Sequence, residues 1–127
     1  MKGRIAKADN PSVEIEAAIK CAEKNGYCWW GSAKNAVYAD NIIIFQTKNS
    51  SGAFGVLYVS DIFEEENISD DDFKLHRPPE WRNSRRFGRY YKITGGIAKF
   101  IPREEILREN GSELRTTDLR TGVKVKI

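Results

Sequence analysis

Four large apolar residues in a row, within Asn41-Ile-Ile-Ile-Phe-Gln46, constrain the fold of this chain more than any other segment. A half-buried strand alternates apolar and polar residues, so an unbroken run predicts a strand that is buried on both faces. The next residues, Asn49-Ser-Ser-Gly52, have the composition of a hairpin connection. We therefore predict strands at Asn41–Lys48 and Ala53–Ile62, joined by a hairpin.

A helix is predicted ahead of these strands, from Val13 to about Lys24. The turn cluster Asp9-Asn10-Pro11-Ser12 marks its start, with Ser12 as the N-cap, and Asn25-Gly26 is a stop signal. The apolar residues that recur at the spacing of one helix face are Ile15, Ala18, Ile19 and Ala22. This pattern indicates a helix that packs on the core.

The remaining periodic segments are short. They are the strands Gly3–Ala8, Tyr27–Trp30, Tyr90–Ala98 and Val123–Ile127, and a short helix from Pro102 to about Glu109. Residues 64–88 form a long polar segment, and connections of that length are usually functional or disordered. The sum predicts an α+β fold, with a small curved sheet or open β-barrel of about six strands and roughly two to three helices.

The 127 residues, of which 40% are hydrophobic, suffice for one sizeable core, so we expect a single domain over residues 1–127. No apolar run approaches the roughly 20 residues that span a bilayer, and the first residues lack the apolar stretch of a signal peptide. These features favour a soluble, cytoplasmic protein that does not use a membrane. We expect a monomer.

Cys21 and Cys28 fall in the predicted helix and in the strand that follows it. In a reducing compartment such cysteines are more often buried free thiols than a disulfide pair. Together with His76, the single histidine, they offer too few ligands for a typical zinc site. We therefore expect no metal and no small-molecule cofactor.

The charge of the chain is unevenly distributed. Residues 61–72 carry seven acidic and no basic side chains, whereas residues 73–127 carry fourteen basic and six acidic ones. Within the basic part, Arg82, Arg85, Arg86 and Arg89 surround Trp81 and Phe87. Interleaved guanidinium groups and rings are typical of proteins that bind single-stranded nucleic acid, although a solvated basic loop has the same composition.

In Trp29-Trp30-Gly31-Ser32, two indoles stand next to Gly31 and Ser32, whose small side chains leave the backbone accessible. Rings next to accessible peptide groups can hold a flat ligand such as a nucleobase by face contact and edge hydrogen bonds. Because strand side chains alternate, Trp29 and Trp30 should point to opposite faces, one to the core and one to a pocket. A tryptophan buried in the core is the alternative for either residue.

The chain resembles the YTH domain family in four segments taken in order. They are Arg4-Ile-Ala-Lys7-Ala-Asp9-Asn10, Trp30-Gly31-Ser32, Ile43-Ile44-Phe45-Gln46 with Ser51-Gly52-Ala53-Phe54-Gly55-Val56, and Leu119-Arg120-Thr121-Gly122-Val123. Members of this family, which belongs to the PUA-like superfamily, bind N6-methyladenine in RNA and, in some prokaryotic relatives, in DNA. The resemblance implies a non-enzymatic reader that takes the modified base, from single-stranded RNA or flipped out of DNA, into an aromatic cage.

The resemblance also implies roles for individual residues. Trp30 and Trp81 are the implied cage walls, and the residues implied to meet the base edge or order the pocket rim are Asp9, Asn10, Gly31, Ser32 and Asn49. The candidates for contacts with backbone phosphates are Lys7, Lys34, Arg85, Arg86 and Arg120. A third cage wall could come from Phe73, Leu75, Phe87 or Trp29.

Two other functions stay open from the sequence. One is a PUA-like reader of the EVE type, for 5-methylcytosine or another modified base in DNA. The other is a small ribonuclease of the ASCH type. Against the enzyme, His76 has no nucleophile beside it, and the carboxylates form a solvated run instead of a spaced pair.

Overall fold

The strands of the chain form one open, mixed sheet in a computed structural model that describes residues 1–81 and 88–127. The eight described strands are β1 (Lys2–Ala8), β2 (Cys28–Ser32), β3 (Asn41–Gln46), β4 (Asn49–Glu64), β5 (Arg89–Ile97), β6 (Ile101–Pro102), β7 (Leu107–Arg108) and β8 (Lys124–Lys126). Their order across the sheet is β2-β5-β4-β3-β1-β8-β7, and β6 pairs with β4. Among these described pairs, β1 and β3 run parallel and the others antiparallel.

Two α-helices lie in the described part of the chain, α1 (Pro11–Asn25) and α2 (Asp70–Leu75). Short 3-10 turns occupy Glu65–Asn67, Pro79–Trp81, Arg103–Glu105 and Thr116–Asp118. The predicted α+β class is confirmed, with eight described strands where the sequence suggested about six. Neither described helix combines enough length with enough apolar character to traverse a bilayer.

The predicted burial of β3 on both faces is confirmed. Ile42 and Ile44 face the core beneath α1, whereas Ile43 and Phe45 face a second core built from the C-terminal part of the chain. All four side chains are at most 1% exposed. The C-terminal residues that cover this second face are Ile106, Leu114, Leu119 and Val125. The sheet therefore has a helix on one side and irregular chain with short strands on the other.

Helix α1 begins earlier than expected. Pro11 occupies its first turn, where the missing N–H is no loss, so Ser12 lies inside the helix and the predicted N-cap is wrong. The helix ends at Asn25, and Gly26, whose φ of 93° suits glycine, caps it, in agreement with the predicted stop signal. Ile15 of α1 then approaches β4 at Gly55, where an added Cβ would lie 3.1 Å from the Ile15 Cδ1 atom. The lack of a side chain at Gly55 lets the helix pack closely on the sheet.

Two further expectations are corrected. The predicted helix from Pro102 is instead strand β6, a 3-10 turn and strand β7, because Ile101 and Pro102 pair with Ala53 and Gly52 of β4. The long polar segment contains α2, which Ser69 caps by accepting a hydrogen bond from the Asp72 N–H at 3.1 Å. Three acidic residues in the first turn of α2 stabilise the helix, because they lie at the positive end of its dipole.

The outer edge of β2 is covered by the residues after α2. The Trp29 N–H donates to the His76 carbonyl at 2.8 Å. The Trp29 carbonyl accepts from Arg77 Nη1, also at 2.8 Å. The segment at residues 76–77 is thus fixed to β2 by its own backbone and by one guanidinium group.

Candidate functional site

Trp29 and Trp30 point to opposite faces of the sheet. Trp29 is 2% exposed and clusters with Phe73 and Tyr90, and its Nε1 donates to Asp72 Oδ2 at 2.9 Å. Trp30 is 6% exposed and belongs to the core beneath α1. Both indoles are therefore buried, one on each face.

The two implied cage walls, Trp30 and Trp81, contact each other. Their ring centroids lie 5.7 Å apart, and their planes are 80° from parallel. The guanidinium carbon of Arg77 lies 5.0 Å from the Trp81 ring centroid. A base held between two rings needs a gap for its own thickness, whereas these two rings pack edge to face on each other. A base could therefore enter between them only if the rings separated.

The implied base-contact residues are divided between the two ends of β4. Asp9, Asn10 and Asn49 lie at the end where β3 turns into β4. There Asp9 Oδ1 accepts from the Thr47 hydroxyl at 2.8 Å. Asn49 Oδ1 accepts from the Ser51 N–H at 2.9 Å. These polar groups hold the local turns together.

Ser32 lies at the other end of β4. It pairs with Arg89 of β5, and Arg89 pairs in turn with Glu64, the last residue of the 16-residue strand β4. Asn49 is the first residue of that same strand. The structure therefore does not bring Asp9 and Asn49 together with Ser32.

A cleft of about 440 Å³ opens beside Ser32, between the residues after β2 and the turn before β8. We call it the Ser32 cleft, and its lining residues are Arg4, Ser32, Ala33, Asn35, Ala36, Val37, Tyr91, Arg120, Thr121, Gly122 and Val123. Ser32 and Arg120, predicted from distant parts of the sequence, thus line one cavity. Lys34 is exposed on the segment that forms the first wall.

Side-chain hydrogen bonds to backbone carbonyls fix both walls of the Ser32 cleft. Tyr91 donates its hydroxyl to the Val37 carbonyl at 2.8 Å, and Arg89 Nη1 donates to the Ala36 carbonyl at 2.6 Å. On the opposite wall, Arg4 Nη1 donates to the Gly122 carbonyl at 2.8 Å. The cleft is consequently formed before any ligand arrives, which lowers the entropic cost of binding.

The Ser32 cleft is electropositive. Arg4 is half-buried, and neither Arg4 nor Arg120 makes an ion pair with a carboxylate in the described residues. Burial raises the pKa of Tyr91, while the charge of Arg4 and a hydrogen bond with Ser32 oppose that rise, so these three groups converge. Two guanidinium groups beside hydroxyls suit a ligand with anionic oxygens, such as a phosphate.

Arg4 and Tyr91 are the functional candidates that the sequence did not reveal as such. Each lies within a predicted strand and was not a candidate site residue, although Arg4 begins the first segment that resembles YTH domains. Nothing in β1 sets Arg4 apart in the sequence, because Lys2 and Lys7 of the same strand are basic as well.

Several other predicted residues lie elsewhere. Lys7 and Asn49 line a smaller cleft of about 230 Å³ at the opposite end of β4, which we call the Asn49 cleft. Arg89 is committed to Glu64, since its Nε donates to Glu64 Oε1 at 2.7 Å. The phosphate candidates Arg85 and Arg86 fall within residues 82–87, outside the described residues, as do Arg82 and Phe87.

His76, the residue considered for an enzymatic site, stacks on Tyr27 with ring centroids 3.6 Å apart and planes 8° from parallel. Its Nδ1 lies 3.0 Å from the Tyr27 carbonyl oxygen, and its Nε2 lies 3.6 Å from Asp72 Oδ1. The Tyr27 hydroxyl also donates to Asp72. These contacts join α2 to the start of β2.

Comparisons of the chain with models of known families, with curated proteins and with solved structures found no match.

Proposed function

We propose that the protein is a nucleic-acid-binding module that holds one unpaired nucleotide, from single-stranded RNA or flipped out of DNA, in the Ser32 cleft. The observation that carries the proposal is the convergence of Arg4, Arg120, Ser32 and Tyr91 around about 440 Å³ of preformed space. Guanidinium groups bind phosphate through paired N–H donors, and hydroxyl and peptide groups can bond a base edge.

The resemblance to YTH domains supports the same assignment. Ser32 and Arg120 belong to two of the segments that carry the resemblance, and both line this cleft. We propose on this basis a PUA-like reader of a modified base, with N6-methyladenine as the first base to test and 5-methylcytosine in DNA as the rival. The proposed reader does not cleave its ligand.

A cage between Trp30 and Trp81 is a weaker proposal. Separating the two rings would forfeit an edge-to-face contact of about 0.5–1.5 kcal/mol together with part of their burial. Stacking of a base returns on the order of 1–3 kcal/mol. The two terms nearly cancel, whereas binding in the Ser32 cleft needs no such rearrangement.

The test is a binding titration with short single-stranded RNA and DNA oligonucleotides that differ only in one base: adenine, N6-methyladenine, cytosine or 5-methylcytosine. Arg120→Ala should weaken binding to all of them. It should also reduce the slope of log affinity against log salt concentration by about 0.7 for each phosphate contact that is lost. Lys99→Ala removes an exposed cation elsewhere and serves as the matched control.

Equal losses for Arg120→Ala and Lys99→Ala would reduce the interaction to nonspecific charge attraction and overturn the proposed site. The oligonucleotides should also be recovered intact after incubation with and without a divalent metal. Shortened products would instead support the ribonuclease alternative.

A further inference from the structure

Cys21 of α1 and Cys28 of β2 belong to the same core cluster, and both are free cysteines. The Cys28 Sγ atom lies 3.8 Å from the Trp29 carbonyl oxygen. Cys28 is fully buried, at 0% exposure, whereas Cys21 is 8% exposed and lines an open cleft. A reagent from solution can therefore reach the pair only through Cys21.

The cleft beside Cys21 has a volume of about 390 Å³ and lies between α1 and the residues from the end of α2 to Glu80. We call it the Cys21 cleft. The charged residues that line it are Lys20, Lys24, Lys74, Arg77 and Glu80. Four cations against one carboxylate make it attractive to an anionic molecule. It shares no lining residue with the Ser32 cleft within the described chain.

The surroundings of Cys21 favour its thiolate. Interaction with the Cys28 thiol, assisted by Asn25 and by the charges of Arg77 and Lys24, lowers the pKa of Cys21 to about 7 against the effect of burial. Asn25 Nδ2 lies 3.8 Å from the sulfur. The same interaction, together with burial, raises the pKa of Cys28. The accessible thiol is thus the reactive one, because thiolates are the nucleophiles in disulfide exchange.

We propose that Cys21 is a thiol–disulfide exchange site for small anionic disulfides, with Cys28 as the resolving thiol. The Cys21 thiolate attacks one sulfur of the disulfide, forms a mixed disulfide and expels one thiolate. Cys28 then loses its proton to solvent and attacks the Cys21 sulfur, and the second thiolate leaves. The protein dithiol is oxidised to a Cys21–Cys28 disulfide, and the small disulfide is reduced to two thiols.

The site is independent of nucleotide binding, so its test does not depend on the Ser32 cleft. The folded protein is treated with oxidised glutathione and followed by intact-mass measurement and peptide mapping. The wild type should end as an internal disulfide without an adduct. Cys28→Ala should retain one glutathione on Cys21, and Cys21→Ala should react at least about tenfold more slowly.

Two measurements on the otherwise intact pair complete the test. Lys74→Gln should slow the reaction with oxidised glutathione roughly twofold or more but leave that with neutral hydroxyethyl disulfide unchanged, and Lys99→Gln should alter neither. Alkylation of the native wild type by iodoacetamide should modify Cys21 first, with a rate midpoint near pH 7. This second readout needs no substitution and therefore stands if a cysteine variant fails to fold.

The proposal is overturned if Cys21 in the native wild type reacts only when denaturant is added, or if Cys21→Ala is oxidised as fast as the wild type. It is equally overturned if the wild type keeps a stable glutathione adduct, since Cys28 would then not resolve it.

Discussion

Polar side chains lie near both ends of β4, but the protein uses them differently. At the Asn49 end, the side chains of Asp9 and Asn49 bond to neighbouring turns, at 2.8 Å to Thr47 and 2.9 Å to Ser51. At the Ser32 end, Arg4 and Tyr91 bond to carbonyls of two separate chain segments. The first arrangement stabilises a turn, whereas the second holds two walls apart and leaves charge facing the space between them.

The comparison teaches that a polar residue in a motif is a good ligand candidate only where its hydrogen-bonding capacity is not already used locally. Asn49 matches the expected position in sequence, but its side-chain oxygen serves the hairpin. Arg120 is exposed and has no ion-pair partner among the described residues, so its charge is available to a phosphate.

The largest effect is expected from Trp30→Ala, which asks whether the base site is the cleft or the indole pair. Because Trp30 is 6% exposed in the core beneath α1, its removal should lower the free energy of unfolding by about 3–5 kcal/mol. Chemical denaturation measures this loss. A variant that keeps its stability but loses preference for a methylated base would make Trp30 a pocket wall instead.

Arg4→Ala compares the two ends on a single strand, with Lys7→Ala as its control. Arg4 faces the Ser32 cleft, whereas Lys7 lines the Asn49 cleft. A hydrogen bond from a charged group contributes about 1.5–3 kcal/mol, so Arg4→Ala should weaken oligonucleotide binding about tenfold or more. Lys7→Ala should leave the affinity unchanged. Fluorescence anisotropy measures both variants. If Lys7→Ala weakens binding as strongly, the assignment to the Ser32 end fails.

Asp118→Asn probes the support behind the Arg120 wall through its pH dependence. The side-chain hydrogen bond from Arg115, aided by the Arg115 backbone N–H, lowers the pKa of Asp118 to about 2. Because the pKa of Asp118 is lower in the folded protein than in the unfolded chain, its ionised carboxylate stabilises the fold at pH values above the ordinary pKa. That stability is lost as the pH falls from about 4 toward about 2.

Thermal unfolding should therefore show a lower melting temperature for Asp118→Asn at neutral pH. The difference from the wild type should shrink as the solution is acidified through that range. A constant difference at every pH would mean that the Asp118 charge is not responsible.

The smallest effect is expected from Asn49→Ala. Removal of its hydrogen bond to Ser51 should cost about 0.5–1.5 kcal/mol of folding stability and leave oligonucleotide affinity within about twofold of the wild type. The same binding titration checks this. A selective loss of affinity for the methylated oligonucleotide would restore Asn49 to the site and remove the contrast between the two ends.

The fold was predictable from the sequence where a pattern is strong and local. The apolar run of β3 and the periodicity of α1 predict elements that the protein contains. Pairing of Ile101–Pro102 with β4 overrides the helix expected after Pro102, since such a contact with a distant strand leaves no local signal. Helix α2 was missed because its acidic run resembles a solvated loop, although Ser69 is a cap.

The site was predictable only in part for the same reason. Ser32 and Arg120 belong to short motifs, but nothing near them in sequence indicates that Arg4 and Tyr91 complete the cleft. The role of Arg4 depends on the way β1 meets the turn at residues 120–123, where the Gly122 N–H donates to the Ile5 carbonyl at 2.8 Å. The role of Tyr91 depends on the segment after β2, where its hydroxyl donates to the Val37 carbonyl. Contacts between opposite ends of a chain are invisible to periodicity and spacing.

The cover over β2 has a consequence for self-association. A strand at the border of a sheet offers free N–H and C=O groups on which another molecule can template a cross-β assembly. In this protein the residues after α2 already bond to both backbone groups of Trp29, at 2.8 Å each. The border at Trp29 is thus closed from within the same molecule, which should protect it from edge-to-edge aggregation.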